Sequence, residues 1–218
     1  MATFVPTDFC IPLTQRLADL TGAQDDLEAA ESFCFRCIST WHQPPPFDSL
    51  LLECLCAAAL VRYGRAFGNT VRIADARCVL DELTPDLKSA HKRYIAMRHQ
   101  WIAHSVNTFE ENVVVAYFVE KQGTAPRLNS VEVQTRRVVA LHAGEMQSLA
   151  DLAHAMANKL NALIAKEKAR ALEHALSLPA EFWVNRRRDS VIDTGKQDPA
   201  TKRRRWRDPR LTRRARKR

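Results

Sequence analysis

Apolar residues recur every three to four positions along most of this chain, the spacing that builds one face of a helix. Residues 12–20 read as a short helix and 23–41 as a longer one, with Ala, Leu, Glu and Phe at helical intervals. The run Gln43-Pro44-Pro45-Pro46 ends it, because proline lacks an amide donor and its ring clashes with the preceding turn. Asp48 opens a strongly apolar helix that extends to about Phe67 and is expected at the centre of the core. Gly64 and Gly68 mark a close backbone approach or the end of that helix. Thr84-Pro85-Asp86 is a helix start: Thr84 caps, Pro85 fits the first turn, and Asp86 suits the positive end of the dipole. This helix is expected to run to about His104. The period then changes. Residues 112–119 and 130–141 are rich in valine, and Val131, Val133 and Thr135 alternate, so the segments read as two strands joined by 120–129. Residues 144–176 return to a long amphipathic pattern, with Leu149, Leu152, Met156, Leu160 and Leu163 on one face and Pro179 just beyond. No internal repeat is present.

The pattern implies a mainly α fold: a helical body over residues 1–182, carrying a β-hairpin at about 112–141, and a tail over 183–218. Composition agrees. The chain has 218 residues, 46% of them hydrophobic and 27% charged, values ordinary for a globular domain. The longest uninterrupted apolar run, 54–61, is far shorter than the roughly 18 residues of a membrane helix. Residues 1–20 lack a basic segment ahead of an apolar one, and Asp8 interrupts them, so no secretory signal is expected. A cytoplasmic location and reduced thiols at the six cysteines follow as expectations.

Charge is unevenly distributed. Residues 186–218 hold 15 Lys and Arg against 4 Asp and Glu, a net of +11; the remainder holds 18 against 21, a net of −3. The basicity belongs to the tail, which is expected to be disordered or conditionally ordered. Lys202-Arg203-Arg204-Arg205-Trp206 suits a polyanion, because each phosphate neutralised releases counterions. Trp206 and Trp183 could stack on unpaired bases. The competing readings are a solvated extension and a docking segment for an acidic partner.

One segment suggests chemistry. In Arg98-His99-Gln100-Trp101-Ile102-Ala103-His104 an arginine is followed by a polar residue and, six positions on, by a histidine. Five Arg/His pairs in the chain are separated by four to six residues, but here the second residue is polar and the pair sits late on a well-capped helix. The segment resembles the signature of HEPN-domain ribonucleases, an Arg followed after four to six residues by a His. Arg62-Tyr63-Gly64-Arg65-Ala66-Phe67 is also similar to the abortive-infection group of that family. The resemblance spans about 50–176 and leaves out the tail.

The resemblance implies a HEPN-like helical bundle and a metal-independent endoribonuclease, with no cofactor, acting as a toxin or phage-defence component on RNA. His104 would be the general acid/base, Arg98 the group that stabilises the phosphate, and His99 an orienting or RNA-binding residue. The chemistry is sound: a histidine can take the proton of a 2′-hydroxyl that attacks the adjacent phosphate, and arginine's planar fork suits the charge that develops. Six α-helical steps would leave Arg98 and His104 about 120° apart around the axis and about 9 Å along it. Either the helix ends or distorts before His104, or two copies face each other, and the family's homodimers imply the second. His91, Tyr94 and Arg98 fall on one stripe that could extend the RNA-facing surface. Arg65 and Arg72 could line the same cleft or form helix-surface salt bridges. The alternative is a non-catalytic nucleic-acid-binding or partner-docking protein acting through its tail.

Cys34 and Cys37 are spaced for one helix face, whereas Cys54 and Cys56 would point apart. One such pair does not make a zinc site, so buried thiols are expected and no metal. The chain has no GxGxxG, P-loop or serine elbow.

Overall fold

A computed structural model describes residues 9, 11–68, 74–102, 110–120, 125–137 and 140–184. The fold is mainly helical with one two-stranded antiparallel sheet. Its elements are α1 (Pro12–Trp41), α2 (Ser49–Arg65), a 3-10 segment (Ala76–Glu82), α3 (Pro85–Met97), a π turn (Arg98–Ile102), β1 (Glu110–Val119), β2 (Arg127–Arg137), α4 (Ala143–Leu176) and the short α5 (Ala180–Val184). Among the described residues no helix is long and apolar enough to cross a membrane.

Where two helices are expected before Trp41, one forms. Leu20, Ala23, Leu27, Ala30, Cys34 and Cys37 are all buried, and their spacing of three and four continues straight past Gly22. Burial of that stripe offsets the roughly 1 kcal/mol by which glycine disfavours a helix interior. Asp48 starts α2 as expected, its carboxylate accepting from the Leu51 amide at 2.9 Å. Thr84 caps α3, accepting from the Leu87 amide, with Pro85 in the first turn. On α4 the expected face is inward: Leu149, Leu152, Met156 and Leu160 are fully buried. The second strand is shifted toward the hairpin turn, starting at Arg127 and ending at Arg137. Leu141 is instead a buried residue just ahead of α4.

Two compact units divide the chain. One comprises Met1–Asp26, Arg65–Glu82 and Ala155–Arg218. Its buried carboxylates are each held: Asp75 by Arg77 at 2.7 Å, Asp26 by Arg65 at 3.5 Å, and Asp19 by the Gln15 amide at 2.7 Å. The other comprises Leu27–Gly64 and Leu83–His154, and so contains most of α2, α3, the π turn and the hairpin. Here Leu60, Tyr63, Met146, Leu149 and Leu152 are fully buried, and the Trp41 indole donates to the Leu141 carbonyl at 3.0 Å. Residues 186–218, the basic tail, lie outside the described residues.

Candidate functional site

The residues singled out around Arg98 sit in the second unit, on α2, α3 and the π turn. α3 ends at Met97, not near His104. Arg98 still has α backbone angles (φ −57°, ψ −42°), and its amide donates to the carbonyls of Ile95 and Tyr94. From there to Ile102 the helix widens into a π turn, a form often met at functional sites. The uniform α-helical geometry that would set Arg98 and His104 a fixed 120° apart therefore does not apply. His104 itself lies outside the described residues.

Arg98 is positioned by an absence of side chain. A Cβ placed on Gly64 would stand 3.0 Å from Arg98 Cγ, 3.2 Å from Cδ and 3.3 Å from Nε. The arginine stem thus lies directly against the α2 backbone, closer than a side chain at position 64 would allow without a shift of a few tenths of an ångström. The guanidinium reaches the neighbouring ring, with one terminal nitrogen 3.2 Å from His99 Nδ1. Arginine can only donate, so Nδ1 accepts, and the His99 proton resides on Nε2. Arg98 is half-buried and His99 exposed, so the pair offers a cation and a polarised ring edge to solvent.

α2 and α3 also share a set of aromatic contacts. Tyr63 is fully buried, and a 2.8 Å hydrogen bond joins its hydroxyl to His91 Nδ1. The Tyr63 and Tyr94 rings meet edge to face at 6.5 Å. Burial, with a smaller contribution from neighbouring Tyr94, pushes the Tyr63 phenol up, so it stays protonated. Burial likewise raises Tyr94 and lowers the half-buried His91 from its ordinary 6.5.

The expected stripe of His91, Tyr94 and Arg98 is therefore not a single RNA-facing surface. Tyr94 is 2% exposed and its hydroxyl donates to the Glu145 carbonyl at 2.8 Å, so no ring face is left for a base. His91 is the partner of a buried phenol. Arg65 pairs with buried Asp26 on α1, an ion pair between helices and not one along the α2 surface. Arg93 pairs with Glu145. Trp183 packs against Phe9 and Phe182, each at 5.0 Å. Arg72 and the tail residues Lys202, Arg203, Arg204, Arg205 and Trp206 lie outside the described residues.

Sequence reading missed the Tyr63–His91 bond, which joins residues 28 positions apart. It also missed a cleft of about 270 Å³ lined by Asp86, Ser89, Ala90, Arg93, Tyr94 and Ser148. The cleft sits on the first part of α3 and includes neither Arg98 nor His99. Burial, the expectation for the thiols, holds for Cys34, Cys37 and Cys56 and not for Cys54 and Cys78, which are exposed. Burial pushes Cys37 up to about 11 and Cys56 up to about 12. Among the described residues no three His, Cys, Asp or Glu side chains are grouped to hold a metal ion.

No protein-family model, curated protein or solved structure matches the chain.

Proposed function

We propose that this chain is a metal-independent endoribonuclease of the HEPN type, acting as a homodimer. The observation that carries the reading is the seating of Arg98. Its stem rests on bare Gly64, its head lies beside the His99 ring, and it stands where α3 gives way to a π turn two residues short of His104. A cation fixed by packing before substrate arrives can meet charge that develops on a phosphate without reorganising. His104 takes the proton of the RNA 2′-hydroxyl. The 2′-oxygen then bonds to phosphorus, and the 5′-oxygen leaves with a proton, giving a 2′,3′-cyclic phosphate and a 5′-hydroxyl. His99, with its proton on Nε2, orients Arg98 or contacts RNA. A toxin or phage-defence role, with an antitoxin partner, rests on the resemblance alone.

The test is RNA cleavage in EDTA. Arg98→Ala is expected to lower the rate about 10²–10³-fold and His104→Ala about 10²–10⁴-fold. A substrate with a 2′-deoxy position at the cut should resist. Cleavage by either variant at the wild-type rate, or loss of cleavage in EDTA, overturns the reading. The second reading is a non-catalytic nucleic-acid binder, favoured by the net +11 of residues 186–218. Salt-sensitive RNA binding without cleavage of any RNA would select it.

A further inference from the structure

The hairpin carries an uncovered apolar face. Cross-strand partners share a side of the sheet, so Val114 with Val133, Ala116 with Val131, and Phe118 with Leu128 lie together. Val114, Val133, Val131, Phe118 and Leu128 are 68, 66, 57, 56 and 52% exposed. At one end the face closes with Asn112 and Thr135, hydrogen-bonded to each other at 2.7 Å. On the opposite side Val113 and Val115 are half-buried, and their cross-strand partners are Gln134 and Glu132. The hairpin therefore turns this apolar side to solvent across a register shift between Tyr117 and Phe118, and Tyr117 and Val119 on the other side are also exposed, at 38 and 46%.

We propose that this face pairs with the same face of a second copy of the chain. The patch is on the order of 500 Å², at the large end of what monomers leave uncovered. Two such faces packed together remove roughly 1,000 Å² from water, the lower bound for a specific interface. No charged side chain interrupts the face, so a two-fold pairing brings no like charges together and needs no complementary partner. The same lack of cations makes it a poor surface for nucleic acid. A lone two-stranded hairpin is marginal in water, and a second hairpin stacked on it supplies the missing layer. The pairing rests on the homodimer of the proposed function and assigns its surface; its test reads association, so its failure is distinguishable from a failure of the cleavage reading.

The full chain is to be followed by sedimentation over about 1–100 µM, without RNA and at moderate salt. Wild type is expected to form a dimer. Val114→Lys with Val131→Lys should raise the dissociation constant at least about a hundredfold, because each paired face would then bury unpartnered charges. Glu132→Lys, on the other side of the sheet, should leave it within about twofold. If the lysine variant loses its helical circular dichroism, Val114→Thr with Val133→Thr keeps the shape and should still weaken the dimer about tenfold. A wild type that stays monomeric throughout leaves the face to another occupant and overturns the proposal. So does a dimer that all these variants leave intact.

Discussion

At the scale of single residues, the position that decides most is Gly64, which has no side chain. Arg98 Cγ lies where a Gly64 methyl would press on it, at 3.0 Å. The atom in contact is near the root of the arginine, so the stem cannot swing away from the methyl as a side-chain tip could. Gly64→Ala is therefore expected to shift the guanidinium while leaving α2 intact. Alanine favours a helix over glycine by about 1 kcal/mol, and Gly64 lies next to the last residue of α2, so strain and propensity nearly cancel in stability. Catalysis has no such compensation: misplacing a group by about 1 Å can cost about a hundredfold, and the shift needed here is a few tenths of that. The expected result is a urea midpoint close to wild type and RNA cleavage severalfold slower. Unchanged cleavage would mean that the contact with Gly64 does not position Arg98 for the chemistry.

At the scale of elements, α3 is held to α2 through Tyr63 and His91, and this makes the pairing sensitive to acid. Burial lowers His91 below its ordinary 6.5 in the folded chain. Between that lowered value and about pH 6.5 the unfolded chain binds a proton that the folded chain does not, so stability falls as the pH drops. The contribution is complete above about pH 6.5 and is lost as pH falls toward the folded value. His91→Asn cannot titrate, so its stability should fall less than that of wild type between about pH 7.5 and 5.5 in urea unfolding. Equal losses would place the sensitivity elsewhere. This bond also shows what the sequence withheld. Thr84-Pro85 and Asp48 announce their helices because a cap is a local interaction, and the face of α4 is legible because its period repeats over 34 residues. The break expected between residues 20 and 23 does not form, because burial on both sides of it outweighs the local propensity of Gly22. Tyr63 meets His91 across 28 positions, and the change from α to π after Met97 has no residue signature, so neither could be read locally. Tyr94 shares a helical stripe with Arg98, yet periodicity alone cannot say which side of that stripe faces inward.

At the scale of the whole molecule, the chain joins a body of net −3 to a tail of net +11. If the body cleaves RNA as proposed, its net negative charge repels that substrate, and recruitment would fall to the tail. Affinity and chemistry then reside in different parts of the sequence and should separate experimentally. Deleting 202–218 removes 11 of the 15 tail cations and one of its four acids. For every phosphate that the shortened chain no longer neutralises, the slope of log affinity against log salt should shrink by roughly 0.7 on single-stranded RNA, and binding should weaken most at low salt. The rate at saturating RNA should remain near wild type, because Arg98 and His104 are untouched. Filter binding at several salt concentrations, beside single-turnover cleavage with excess protein, reads the two quantities independently. An unchanged slope would show that the tail does not engage phosphates. Cleavage abolished even at saturation would show that the tail completes the reacting site, and the division between recruitment and chemistry would then fail.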